Sequence, residues 1–137
     1  MPLILVAADA AYVRDEVVAA LAGEYEILTV NGGREIRNAV TEHNVHMAVI
    51  DMQMGSMGGI AATMDLRLEE SGGRIGHVPV LLLLDRRADV FLARRAGAEG
   101  FLIKPISPLK LRRAVAALLE DGEYEDTAHT PSPVVAT

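Results

Sequence analysis

Five short apolar runs, each followed by an amphipathic stretch, set the folding options of this chain. The runs fall at 3–7, 26–30, 47–50, 78–84 and 101–103, and the segments 11–21, 34–43, 60–70, 90–96 and 108–119 between and after them have helical patterning. Strict alternation of strand and helix patterns specifies βαβ units around a parallel sheet. Runs such as Met47-Ala48-Val49-Ile50, with no polar alternation, are those of strands covered on both faces. Ile60, Met64, Leu66 and Leu68 are the expected core ribs of the third helix, and Leu109, Ala114, Val115, Leu118 and Leu119 those of the fifth. Gly23 and Gly97 stand where left-handed C-caps belong, and Ser107-Pro108 reads as an N-cap followed by a first-turn proline.

The 137 residues, 50% of them hydrophobic, suit one ordinary domain with a real core. We place it at 1–121. The stretch 122–137 is acidic, polar and broken by Pro131 and Pro133, and reads as a flexible tail. Without cysteine there are no disulfides, thiolate metal sites or thiol nucleophiles. The N-terminus has no basic leader, and no apolar stretch approaches the roughly 20 residues of a membrane helix, so a soluble, cytoplasmic protein is expected. The net charge of −6 and the scarcity of aromatics argue against direct nucleic-acid binding. Charge is nevertheless uneven: 86–113 holds eight basic residues and two acids, a candidate docking surface for a protein partner.

Asp51 closes the third apolar run and opens the loop containing Gly55-Ser56-Met57-Gly58-Gly59. A lone carboxylate at the end of a buried strand calls for a ligand or a reaction. Ligands of open parallel sheets bind outside the carboxyl ends of the strands where the order reverses. If strand one is central and strand three lies beside it, Ala8-Asp9 and Asp51 face each other there. Two close carboxylates call for a shared proton or a divalent cation, and Mg²⁺ suits a site of two acids, a carbonyl and waters. Lys104, after the fifth strand, brings a cation to the same end and suits a phosphoryl group transferred to Asp51. The alternative is a buried Asp51–Lys104 ion pair that only orders the loops. The glycines form no nucleotide-binding pattern and read as turn residues, and His43, His46, His77 and His129 lack zinc-site spacing. The loops also lack a serine nucleophile elbow and a flavin phosphate loop.

From Leu3 to Leu119 the chain resembles the response-regulator receiver domains of two-component signalling, among them the single-domain chemotaxis regulators. The resemblance rests on Ile4-Leu5-Val6-Ala7-Ala8-Asp9, on Val49-Ile50-Asp51-Met52-Gln53-Met54 followed by Gly58-Gly59, on Pro79 to Leu84, and on the run from Ala96 to Lys104-Pro105. It implies an α/β, flavodoxin-like fold: a five-stranded parallel sheet in the order 2-1-3-4-5 flanked by five helices. It further implies phosphorylation of Asp51, Mg²⁺ held by Asp9, Asp51 and the main-chain carbonyl of Gln53, a phosphoryl contact from Lys104, and a cis bond before Pro105. The implied partners are a histidine kinase or phosphotransfer protein and a downstream protein, or a second copy, docking on helix four, strand five and helix five.

Several positions depart from the family pattern. Ala8 replaces the first of two adjacent acids, which should weaken Mg²⁺ binding. Leu84 replaces the Thr or Ser whose hydroxyl reports the phosphoryl group to the aromatic on strand five, here Phe101, and leucine donates no hydrogen bond. Gly55 replaces a frequent proline and should loosen its loop. Asp85 is expected to cap or start the fourth helix. These residues together describe an atypical stand-alone receiver in a phosphorelay, not an enzyme in the ordinary sense. The rival reading is a receiver fold kept as an interaction module that works without phosphorylation.

Overall fold

The computed structural model describes residues 1–127. The apolar runs become β1 (Leu3–Ala7), β2 (Glu26–Val30), β3 (Met47–Asp51), β4 (Val80–Leu84) and β5 (Gly100–Ile103). Helices α1 (Ala11–Leu21), α2 (Ile36–Glu42), α3 (Gly59–Ser71), α4 (Val90–Ala96) and α5 (Pro108–Leu119) alternate with them. The strands pair in parallel in the order 2-1-3-4-5, as the family resemblance implies, and a sixth, β6 (Tyr124–Glu125), pairs in parallel with β5 and extends that edge.

The sixth strand corrects the reading of 122–137 as a tail throughout. Tyr124 N donates to Glu99 O (3.1 Å) and Asp126 N to Phe101 O (3.2 Å), so residues 124–126 join the sheet. His129, the Thr130-Pro131 and Ser132-Pro133 pairs, and the rest of 128–137 lie outside the described residues.

Alternation along the strands divides the core into two layers. Val80, Leu82 and Leu84 of β4 face α2, α3 and α4, and Leu81 and Leu83 face α1 and α5, which is why a strand of five consecutive apolar residues is buried throughout. Val78 and Pro79 stay outside β4, where Pro79 has no N–H for the ladder and uses its carbonyl to accept from Ala48 N (2.9 Å). The segment 34–43 opens with a 3₁₀ turn, Gly33–Glu35, before α2 begins.

Two helix faces differ from expectation. The buried side of α3 is Gly59, Ala62, Thr63 and Leu66, whereas Met64 and Leu68 are 52% and 67% exposed. In α5 the core takes Leu111 with Ala114, Val115 and Leu118, and Leu109 is half exposed. The expected punctuation is present: Gly97 caps α4 in the left-handed region (φ 86°), Gly23 has φ 90°, and Ser107 accepts from Lys110 N ahead of Pro108. Among the described residues no helix is long and apolar enough to cross a membrane.

Candidate functional site

β3 lies between β1 and β4, and β5 follows β4, so the loops after all four strands open at one end of the sheet. Asp51, the last residue of β3, is 1% exposed. Its Oδ1 accepts from Lys104 Nζ (2.7 Å) and from Gln53 N (3.2 Å). Lys104 is placed by its own N–H, which donates to Leu84 O (2.8 Å); the bond to Pro105 is cis, as the resemblance implies.

Asp9 stands on the exposed side of the same opening, and its Oδ2 accepts from Gly55 N (2.8 Å). Gly55 therefore does more than relax the loop: its N–H ties the loop after β3 to the loop after β1, a bond proline could not make. Gly59 joins the same region by close approach. A Cβ there would stand 2.5 Å from Asp51 O, so only glycine lets the start of α3 sit against the end of β3. Arg14 of α1 holds the other side, donating from Nη1 to Ala8 O (2.7 Å) and Asp9 O (3.0 Å).

Asp85 departs from the expected cap. It lies one residue past β4, and its Oδ1 accepts from Lys104 Nζ (3.1 Å), while the segment beginning α4 has no side-chain cap. Lys104 is thus shared by two carboxylates. Burial presses its ammonium toward the neutral form, but the hydrogen bonds and charges of Asp51 and then Asp85 outweigh that effect and hold it above the ordinary lysine range. The arrangement offers a buried carboxylate and a firmly protonated lysine, with a second acid within reach of that lysine.

Leu84 is fully buried, in the same apolar layer as Phe101, which is 2% exposed. The Arg87 guanidinium lies 5.9 Å from the Phe101 ring centre. The position of the family's hydroxyl is thus part of the core, with no donor facing Asp51. Ala8 is buried against the α1 and α5 layer.

Reasoning from sequence brought Asp9, Asp51 and Lys104 to one end of the sheet, and it missed Arg14, the bond between Asp85 and Lys104, and Asp126. An arginine five residues past Asp9, on the helix that starts there, was the one available signal for Arg14. At the opposite end of the sheet His77 is not an isolated surface histidine: Nδ1 lies 2.5 Å from Glu70 Oε1 and Nε2 3.0 Å from Glu99 Oε2, and Arg67 bonds both of these glutamates.

Comparison with known proteins agrees with this geometry. The family model for the response regulator receiver domain matches residues 4–116. The sensory/regulatory protein RpfC of Xanthomonas campestris pv. campestris is 30% identical over 96 residues, covering 69% of this chain and 13% of that protein. The DNA-binding response regulator MtrA of Mycobacterium bovis is 27% identical over 125 residues, covering 89% of this chain and 52% of that protein. The chain therefore spans a small part to about half of these curated relatives. Among solved structures, Vibrio cholerae chemotaxis protein CheY4 superposes with a TM-score of 0.75 at 24% identity, covering 85% of this chain and 97% of that one. The receiver domain of a Syntrophus aciditrophicus histidine kinase gives 0.77 at 24% identity, covering 100% of both chains. Receiver domains generally bind Mg²⁺ at the phosphorylation site and interact with histidine kinases or phosphotransfer proteins. With a buried carboxylate ending the central strand, a lysine bonded to it and a matching family model over most of its length, the chain belongs to the response-regulator receiver domain family.

Proposed function

We propose that this receiver accepts a phosphoryl group on Asp51 with Mg²⁺ and signals through the protein surface formed by α4, β5 and α5. The observation that carries the reading is the bond from Lys104 Nζ to Asp51 Oδ1 at 2.7 Å, with Asp51 buried and Asp9 tied into the adjoining loop. A pure scaffold gains little from such a set, because buried charges are costly to keep.

The donors here fit magnesium, since Asp9, Asp51 and the Gln53 carbonyl are all hard oxygen ligands. These three residues would hold the ion, and once bound it would neutralise charge on the phosphoryl oxygens. The remaining work falls to the chain. Both hydrogen bonds accepted by Asp51 fall on Oδ1, so Oδ2 is the oxygen to attack phosphorus as the bond to the donor's leaving group breaks. Lys104 then balances the charge of the acyl phosphate. A histidine kinase, a phosphotransfer protein or a small phosphodonor supplies the group.

Two observations favour the second reading, an interaction module that works unphosphorylated: Leu84 fills the core where a hydroxyl would report the phosphoryl group, and Ala8 leaves the metal one acid short. Beryllofluoride with Mg²⁺ separates the readings. Under the first, amide NMR signals of 52–59, Asp85 and Lys104 shift saturably, and the shifts vanish in Asp51→Asn or without Mg²⁺. An unchanged spectrum in the wild type supports the second.

A further inference from the structure

β6 is shorter than a strand needs to be to hold an edge by its ladder alone, and its grip comes from an acid. The two-residue strand gains an anchor one residue on, where Asp126 is 2% exposed. Asp126 Oδ2 accepts from Ile103 N (2.9 Å), Oδ1 accepts from Lys110 Nζ of α5 (3.0 Å), and its carbonyl accepts from Arg87 Nη1 ahead of α4 (3.0 Å). Beside it, Glu125 accepts from Arg94 of α4 (2.7 Å). Backbone pairing, with Arg87 on the Asp126 carbonyl, thus aligns an extended segment while three basic or amide donors, Ile103 N, Lys110 and Arg94, select for acid, the division of labour of strand addition to a sheet edge.

The surroundings are built for more than a two-residue cover. A cleft of about 220 Å³ opens between α4 and β6, lined by Arg94, Gly100, Phe101 and Glu125 among others. On α4 and α5, Phe91 (63%), Leu92 (41%) and Leu109 (50%) are exposed. Of the basic residues of 86–113, Arg87, Arg94 and Lys110 reach this edge.

We propose that the β5 edge is a docking site for an acidic, extended segment of a second protein, and that residues 124–126 occupy it in cis. The inference rests on the reading of α4, β5 and α5 as the output surface, and it specifies the partner's chemistry: a strand with an acid placed to meet the Ile103 N–H and Lys110. Because the cis segment is tethered through the turn after α5, where Asp121 takes φ 62°, its effective concentration is high and a partner competes against it. A cis strand of two residues keeps the edge closed to casual pairing while leaving it open to a longer ligand.

The test uses the whole chain and a fluorescein-labelled peptide of residues 122–127, Gly-Glu-Tyr-Glu-Asp-Thr. Asp126→Ala, and the milder Asp126→Asn, should bind the peptide at least tenfold more tightly than the wild type does. In both variants the Ile103 amide should exchange at least tenfold faster and regain protection with peptide, and adding Lys110→Ala should abolish binding. Peptide binding no tighter in the variants than in the wild type, or Ile103 still protected in both, would overturn the proposal. Sedimentation of the same samples reports exchange of the segment between copies, and a dimer built that way would overturn the assignment to a second protein. Phosphoramidate treatment of the same samples keeps the two readings apart. Peptide binding without an Asp51 adduct upholds the docking site while the phosphoacceptor reading fails, and an adduct without peptide binding overturns the docking site alone.

Discussion

Lys104 is the residue on which the electrostatics of the site turn. In a site with one carboxylate partner its ammonium would be committed to Asp51, but Asp85 stands 3.1 Å away on the other side and takes part of that charge. An incoming phosphoryl group meets a lysine already paired with two carboxylates and a third acid near its path. Removing Asp85 therefore frees Lys104 for the reaction. Asp85 is partly exposed, so the gain is that of a surface pair, about 0.5 to 1 kcal/mol. That converts to a rate of Asp51 modification by phosphoramidate about two- to fivefold faster in Asp85→Asn than in the wild type, read by intact mass against time. A slower or unchanged rate would show that Asp85 assists the reaction or takes no part in it.

At the scale of elements, the junction of β3 and α3 sets where Asp51 sits. A Cβ on Gly59 would meet Asp51 O at 2.5 Å and Met52 Cα at 2.9 Å, both backbone atoms that cannot step aside alone. Gly59→Ala should push α3 outward and cost about 2 kcal/mol in urea unfolding, with weaker beryllofluoride binding measured in parallel. Unfolding unchanged from the wild type would mean that the helix start accommodates the methyl group. The elements themselves were legible where local pattern decides them: β1, β2, α1, α4 and α5 begin and end where their apolar runs and caps say. The errors have physical causes. On α3 the expected ribs Leu66 and Ile60 do meet the core, but the apolar Met64 and Leu68 lie on the exposed side and the small Gly59, Ala62 and Thr63 take their place, so hydrophobicity alone placed half the face wrongly. β6 left no apolar run to find, because Tyr-Glu-Asp is held by Arg87, Arg94 and Lys110, residues 16 to 39 positions away. Asp85 was misjudged for a similar reason: its partner is 19 residues off and enters through β5.

On the scale of the whole molecule, the proposed phosphoacceptor stands apart from the proposed docking edge. The carboxyl end of the sheet gathers Asp9, Asp51, Asp85 and Lys104, and the far edge holds Arg94 of α4 and Lys110 of α5 against the acidic β6 and Asp126. Between the two lie Leu84 and Phe101, both buried and both apolar, so the usual hydroxyl signal has no donor to carry it. Under the proposed function the loop after β3, tied to Asp9 through Gly55, is the element placed to carry the signal instead. The placement of the three charged site residues could be read from sequence because each ends or closely follows a strand in a fixed fold. The cover over the β5 edge could not, since it depends on contacts that form only once the sheet exists. The central claim is that Asp51 is a working phosphoacceptor. The most direct measurement is intact mass after incubation with phosphoramidate and Mg²⁺: one acid-stable, base-labile phosphoryl adduct in the wild type and none in Asp51→Asn supports the claim. A wild type that takes up no phosphoryl group at any donor concentration, or an Asp51→Asn variant that takes it up equally, contradicts it.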